Sequence, residues 1–288
     1  MVSIAGYIYA GRALKPISKV ISDVNDISIT SLNLRVDEGN GRDEIAQLAQ
    51  TFNEMLDRLE SAFKTQKNFI ANASHELRTP LTAITGQLEV LLMKDRNAEA
   101  YKEVASSILE DIKNLNSISN RLLLLAQTRS IENLKVFENL RIDELLWQVR
   151  EDLIKHHPDY SIEISLNENL DDNSLTVSGD EQLLKVALSN IIENGCKYSE
   201  SHTVNIELNQ RSKFLELIFT DNGIGIAEED LKIIMEPFQR GKNALGAKGH
   251  GIGLSLVDAI IKMHNANISI TSALNKGTEI RVNIPFLG

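Results

Sequence analysis

A histidine and a glutamate stand side by side at positions 75 and 76 in "NFIANASHELRTPLTAITGQLEVLL", Asn68 to Leu92, and a proline follows at 80. Imidazole is a nucleophile whose uncharged form is available near neutral pH, and an adjacent carboxylate can orient it or take its proton. "HELRT" begins like the zinc pattern His-Glu-x-x-His, but Thr79 occupies the place of the second ligand, which argues against a metalloprotease. A lone helical histidine is ordinarily just a surface residue. Pro80 shifts that balance, because an interior proline removes one helical hydrogen bond and crowds the carbonyl of Glu76 at a cost of ~3 kcal/mol or more. A helix that carries this cost beside an exposed His-Glu pair points to chemistry.

A second set of residues lies far downstream. On "DEQLLKVALSNIIENGCKYS", Asn190, Asn194 and Lys197 fall at i, i+4 and i+7, while Leu184, Leu188, Ile191 and Ile192 take the core side. Stacked asparagines have no propensity rationale inside a helix, whereas amide oxygens are suitable ligands for Mg²⁺ shared with a phosphate substrate. "FLELIFTDNGIGIA" runs an apolar strand into Asp221, Gly223 and Gly225, and "GAKGHGIGLSLVDAIIKMH" alternates Gly249, Gly251 and Gly253 before an amphipathic helix. Alternate glycines let backbone N–H groups approach an anion at a helix start. "DNG" alone would be an ordinary turn. There is no Gly-x-x-x-x-Gly-Lys-Ser/Thr, no acidic residue spaced for a dinucleotide site, and no His-Arg-Asp or Asp-Phe-Gly.

The elements that must position these residues differ between the halves. Up to about Arg129 the pattern is helical, and from about Asn133 short strand-like runs ("IEISL", "VNIEL", "FLELIFT", "ISITS", "EIRVNIPF") alternate with helices at Asp143 to His156, Asp180 to Asn194 and Gly253 to His264. The expected fold is an all-α front half followed by an α/β domain. Ile45, Leu48, Phe52, Met55, Leu59, Ala62 and Phe69 form a heptad seam that predicts a coiled-coil partner. Ile17, Val20, Ile21, Val24 and Ile27 mark a shorter helix after Pro16. The seam continues through Ala73, Leu77 and Ile84, and a helix from about Ala98 to Gln127 carries its own stripe at Leu115, Ile118, Leu122 and Leu125. The short turn between these two helices implies an antiparallel hairpin, and two copies would cover both stripes as a four-helix bundle.

Composition sets outer bounds. The chain has 288 residues, enough for two or three domains, and a net charge of -10, which gives no general attraction to nucleic acid. Its single cysteine, Cys196, excludes an internal disulfide and reads as a small buried hydrophobe. No stretch reaches the ~20 apolar residues that span a bilayer. "MVSIAGYIYAG", followed by Arg12 and Lys15, reads as a buried helix end or as the tail of a membrane helix.

Taken in order, "SHELRTPL", "NIIENGCKYS", "DNGIGI", "EPFQRG", "GHGIGLSL" and "NKGTEIRVNIP" resemble the box series of bacterial sensor histidine kinases, over essentially the whole chain. Residues 12–63, with "RDEIAQLAQTFNEM", resemble a HAMP relay domain, residues 64–130 the dimerisation and phosphotransfer hairpin, and residues 131–288 the gyrase-type ATP-binding domain. Residues 1–11 then read as the end of a membrane helix, at the cytoplasmic face of the bacterial inner membrane.

The resemblance implies a homodimer that uses ATP and Mg²⁺ to phosphorylate His75 and passes the phosphoryl group to an aspartate of a response regulator receiver domain. Glu76 would orient or deprotonate His75, and Thr79 would serve dephosphorylation of the regulator. Asn194, assisted by Asn190, would hold Mg²⁺, with Lys197 and Tyr198 near the phosphates. Asp221 would accept the adenine amino group, with Gly223 and Gly225 allowing the base to approach and Thr278 near the pocket. Gly249, Gly251, Gly253 and the following Leu254 would flank the phosphates, and Phe238 and Arg240 belong to a segment resembling the mobile lid, where Lys242 and Lys248 are further candidate phosphate contacts. Gly195 departs from the commoner alanine and is expected to loosen its helix end by up to ~1 kcal/mol. The alternative from the same resemblance is a catalytically silent or phosphatase-dominant module of this fold.

Overall fold

Apolar residues stepping by three and four sustain a helix, and here one helix, α2, runs from Glu44 to Leu92 without interruption at Pro80. The computed structural model describes residue 15 and residues 17–39, 41, 43–130, 137–167, 170–244 and 249–287. Pro16, the N-terminal apolar run and Lys248 lie outside the described residues. The chain divides into two compact units between Asn72 and Ala73. Among the described residues no helix is long and apolar enough to cross a membrane.

In the first unit, residues 17–26 form α1. Val20, Val36 and Ala49 make its buried centre, joined by Val24, Ile27, Ile45 and Phe52. The heptad seam is only partly used here. Ala46, Ala49, Asn53 and Leu56 are the buried positions of the part of α2 in this unit, while Leu48, Met55 and Leu59 are about half exposed. The polar member of the buried stripe explains the shift. Asn53 Oδ1 accepts the Val36 N–H at 2.9 Å and its Nδ2 donates to the Val36 carbonyl at 3.0 Å, pinning the segment between the helices onto α2.

The second unit begins with the end of α2 and α3, Ala98–Ser130, joined by a turn in which Asn97 Oδ1 accepts the Ala100 N–H at 2.9 Å. Ile84 and Leu91 of α2 and Ile118, Leu122 and Leu125 of α3 are buried, while Leu115 is half-buried. Leu81, Leu88, Leu109 and Leu123 remain exposed on this single chain.

The α/β domain is built on a five-stranded sheet in the order β2-β4-β5-β7-β6. Its strands are β2 Ser161–Leu166, β4 Ser199–Arg211, β5 Phe214–Gly223, β6 Asn267–Ser272 and β7 Thr278–Pro285, all antiparallel except the β2-β4 pair. Each contains one of the strand-like runs seen in the sequence. Two four-residue strands went unpredicted: β1 Glu138–Arg141 and β3 Thr176–Gly179 pair as a separate ribbon. The helices are α4 Ile142–His156, α5 Glu181–Tyr198, a single turn α6 Glu228–Leu231 and α7 Gly253–Met263. Leu184, Leu188, Ile191 and Ile192 of α5 are fully buried, together with Ile206, Leu208, Leu215 and Leu217 of the sheet.

One buried side chain ties α5 and α7 together. His264, 3 % exposed at the end of α7, has Nδ1 at 2.7 Å from the Ile260 carbonyl and Nε2 at 3.0 Å from the Asp180 N–H. The carbonyl requires a donor and the N–H an acceptor, so Nδ1 carries the proton. Asp180 caps α5 by accepting the Leu183 N–H at 3.0 Å. Gly179 leaves room for the imidazole, since a Cβ there would lie 2.8 Å from His264 Cδ2.

The only tryptophan, Trp147 on α4, reports on this domain. His264→Ala removes the acceptor for the Asp180 N–H and leaves a cavity, so the urea midpoint followed by Trp147 fluorescence is expected to fall by an amount equal to about 2–4 kcal/mol. An unchanged midpoint would show that the two helices are held without it.

Candidate active site

The sheet, α5 and the segment leading into α7 line an open cleft. Its floor is apolar, formed by Phe219, Ile224, Ile226, Ile234 and Ile280. Asp221 breaks that floor at the end of β5. Its Oδ1 accepts the Gly223 N–H at 2.8 Å and the Thr278 N–H at 3.2 Å, leaving Oδ2 as the acceptor for an incoming donor. Burial pushes the Asp221 carboxyl above its ordinary value, and the two N–H donors oppose that rise.

These contacts require backbone without side chains. Gly277 has φ +79°, and a Cβ there would sit 1.9 Å from the Asp221 carbonyl. Ser272 Oγ lies 2.7 Å from the Gly277 carbonyl and 3.0 Å from Thr278 Oγ1, and it accepts the Ile226 N–H at 2.8 Å.

The amide stripe faces the glycine-rich start of α7. Asn190 is buried, its Nδ2 donates to the Val186 carbonyl at 2.8 Å, and its Oδ1 is 3.0 Å from where a Gly253 side chain would begin. Asn194, Lys197 and Tyr198 line the same cleft, with the Lys197 ammonium 5.1 Å from the centre of the Tyr198 ring. Gly195 packs α5 closely against β4, since a Cβ there would be 2.8 Å from Val204 Cγ2. The helix continues past it to Tyr198, so glycine serves close approach at this position.

Gly225, Arg240, Gly249, Gly251, Gly253, Leu254 and Thr278 also line the cleft. Gly223 and Phe238 do not, and they stand behind it. A Cβ on Gly223 would lie 2.2 Å from the Tyr198 carbonyl, and the Phe238 N–H donates to the Gly251 carbonyl at 2.7 Å. Phe238 adopts φ 68°, a left-handed conformation that costs a bulky residue about 1–2 kcal/mol, and Gly251 packs on its backbone with φ +67°. Lys242 is turned outward, its ammonium 2.8 Å from Glu229 on the exposed surface. Arg240 donates to the Ala244 carbonyl.

Several cleft residues carried no sequence signal. Asn243 Nδ2 reaches the Gly225 carbonyl at 2.8 Å across the opening. Arg121 of α3 lines the cleft from the hairpin, 3.9 Å from Glu193 of α5. His250, between the paired glycines, has Nδ1 2.7 Å from Glu76 Oε2. His75 is exposed on α2, and the Thr79 hydroxyl donates to the His75 carbonyl at 3.2 Å. Neither His75 nor Thr79 lines the cleft. Cys196 is fully buried, which pushes its thiol up to about 12.

A raised carboxyl is penalised only when charged. The Asp221 penalty is absent below the ordinary aspartate range of about 3.9, and it is present at neutral pH. Asp221→Asn keeps an acceptor for Gly223 and Thr278, so this variant is expected to be more stable than the parent at pH 7, with the advantage closing as the pH falls towards 4. Urea midpoints across that range check it, and a variant less stable at neutral pH would contradict the assignment of burial as the cause.

Comparison with known proteins places this geometry. Residues 8–61 match the HAMP domain, residues 65–131 the His Kinase A (phospho-acceptor) domain, and residues 179–288 the histidine kinase-, DNA gyrase B- and HSP90-like ATPases. The signal transduction histidine-protein kinase ArlS of Staphylococcus epidermidis is 30% identical over 98% of this chain, which spans 62% of that relative's length. The fold is shared with the histidine kinase AdeS of Acinetobacter baumannii, at TM-score 0.56 and 22% identity over 74% of this chain and 98% of that one. A structure of full-length ShkA in complex with AMPPNP has TM-score 0.56 and 22% identity, covering 76% of this chain and 46% of that one. The helical hairpin, the Asp221 cleft and the preceding helical unit thus occur in one chain in the order of three matching domains, an arrangement consistent with a two-component sensor histidine kinase.

Proposed function

We propose that this chain binds ATP in the Asp221 cleft, phosphorylates His75 and passes the phosphoryl group to an aspartate of a response regulator receiver domain. The observation that carries this reading is the convergence on one cleft of an apolar floor, a carboxylate with one oxygen left over, the side-chain amides of Asn190 and Asn194, the cations Arg121, Lys197 and Arg240, and the glycine-rich start of α7. The apolar residues suit a purine face and Asp221 suits its amino group. Lys197, Arg240 and the α7 N-terminus suit the phosphates.

The amide oxygens of Asn190 and Asn194 fit a hard cation, and these two residues would hold Mg²⁺, which supplies neutralisation of phosphate charge. In the reaction an imidazole nitrogen of His75 forms a bond to the γ-phosphorus, the bond to the bridging oxygen breaks, and ADP leaves. Glu76 would take the imidazole proton. Because positioning supplies most of the catalysis in such a transfer, a nucleophile can stand on a helix while the nucleotide lies elsewhere.

The exposed Leu48, Met55 and Leu59, with Leu81, Leu88, Leu109 and Leu123, support assembly as a homodimer in which these faces meet. The working division is a relay over residues 12–63, the hairpin over 64–130 and the catalytic domain over 131–288, acting at the cytoplasmic face of a membrane. Thr79 adds dephosphorylation of the regulator. Its hydroxyl proton goes to the His75 carbonyl, which leaves its oxygen able to accept from a water.

With γ-labelled ATP and Mg²⁺, the chain is expected to take up label that survives alkali and is lost in acid, and His75→Ala to take up none. Label resistant to acid, or label on His75→Ala, would contradict the acceptor assignment. Thr79→Ala is expected to slow dephosphorylation of the phosphorylated regulator by about tenfold while labelling of His75 proceeds. An unchanged rate would remove Thr79 from that step.

A further inference from the structure

Glu76 is the residue next to the proposed phosphoryl acceptor, and His250 lies between Gly249 and Gly251 in the wall of the cleft. The two are separated by 174 positions, yet Nδ1 of His250 stands 2.7 Å from Oε2 of Glu76. As a carboxylate Glu76 can only accept, so the imidazole donates through Nδ1–H. The side chains are 29 % and 34 % exposed, a partly desolvated setting in which a charge-assisted bond is stronger than at an open surface.

We infer that His250 is a positioning residue for autophosphorylation, joining the glycine-rich wall of the nucleotide cleft to the helix that presents His75. This deepens the proposed function and rests on it. Backbone on either side of His250 is committed to the cleft. The Gly251 carbonyl accepts the Phe238 N–H at 2.7 Å, and a Cβ on Gly249 would be 3.1 Å from the Lys197 ammonium. The imidazole is therefore carried on a wall that cannot shift without disturbing the proposed phosphate contacts. Its partner is one residue from the nucleophile. This bond thus ties the cleft wall to the acceptor helix beside the nucleophile, and it occupies one Glu76 oxygen while leaving the other for the imidazole proton of His75. Transfer requires reacting atoms held about 3–3.5 Å apart, so loss of this bond should reduce the rate of transfer and spare the binding of nucleotide.

The test uses the whole chain with γ-labelled ATP and Mg²⁺, measuring both the initial rate of His75 labelling and nucleotide affinity by calorimetry. His250→Ala is expected to lower the labelling rate at saturating ATP at least about tenfold, with affinity changed by no more than about twofold. Asparagine places its amide nitrogen near the position of Nδ1, so His250→Asn is expected to recover most of the lost rate. In a Glu76→Gln background, His250→Ala is expected to cost far less than tenfold, because the two residues act as one unit. Labelling of His250→Ala at the parental rate, a loss of affinity matching the loss of rate, or failure of asparagine to recover it would each overturn the positioning role. An unlabelled parent chain that binds ATP would instead overturn the kinase reading, and this inference with it.

Discussion

Oδ1 of Asp221 accepts two backbone N–H groups, one from the last residue of β5 and one from the first residue of β7. Since Gly223 is that last residue of β5, this double acceptance sets the end of the sheet. It needs a glycine at 277, where any side chain would strike the Asp221 carbonyl, and a glycine at 223, where one would strike the Tyr198 carbonyl at the end of α5. Strand end, helix end and turn are thereby drawn together around one carboxylate. The same closeness removes the carboxyl from water, and burial raises it against the pull of its two donors. An acceptor held this firmly and desolvated this far discriminates between partners, because a wrong one leaves a buried group unpaired.

The rest of the cleft follows from where α5 and α7 can lie. His264 fixes the end of α7 against the start of α5, and Gly195 lets α5 approach β4. Those two packings bring the amide stripe of α5 opposite the glycines that begin α7. Chain segments far apart in sequence then share one wall, and the wall carries His250 outward to α2. Packing therefore determines both what the cleft can hold and which helix it can serve.

Much of this was legible before the fold, wherever the signal was local. Asn190, Asn194 and Lys197 share a face through helical spacing alone, and the glycine runs mark close backbone approaches through their own lack of Cβ. The strand-like runs became the five strands of the main sheet. What escaped notice depended on distant partners. The Glu76–His250 contact, the Asn53–Val36 bonds and the His264 clamp join residues that no periodicity relates. Lys242 looked like a phosphate contact by charge, but Glu229 claims it at the surface. The ribbon of β1 and β3 is only four residues wide on each side, too short to show alternation. In α2, a polar Asn53 inside the buried stripe hid that stripe from a search for apolar repeats, and the more conspicuous seam beside it stays half exposed on a single chain.

The central claim is that Asp221 selects the base by accepting its amino group. Calorimetric titration of the chain with ATP and with inosine triphosphate, which carries a carbonyl oxygen in place of that amino group, tests it most directly. ATP is expected to bind at one site per chain, with inosine triphosphate weaker by at least about a hundredfold. Equal affinities would mean that the carboxylate does not read the base, and the assignment of this cleft as an adenine site would fall.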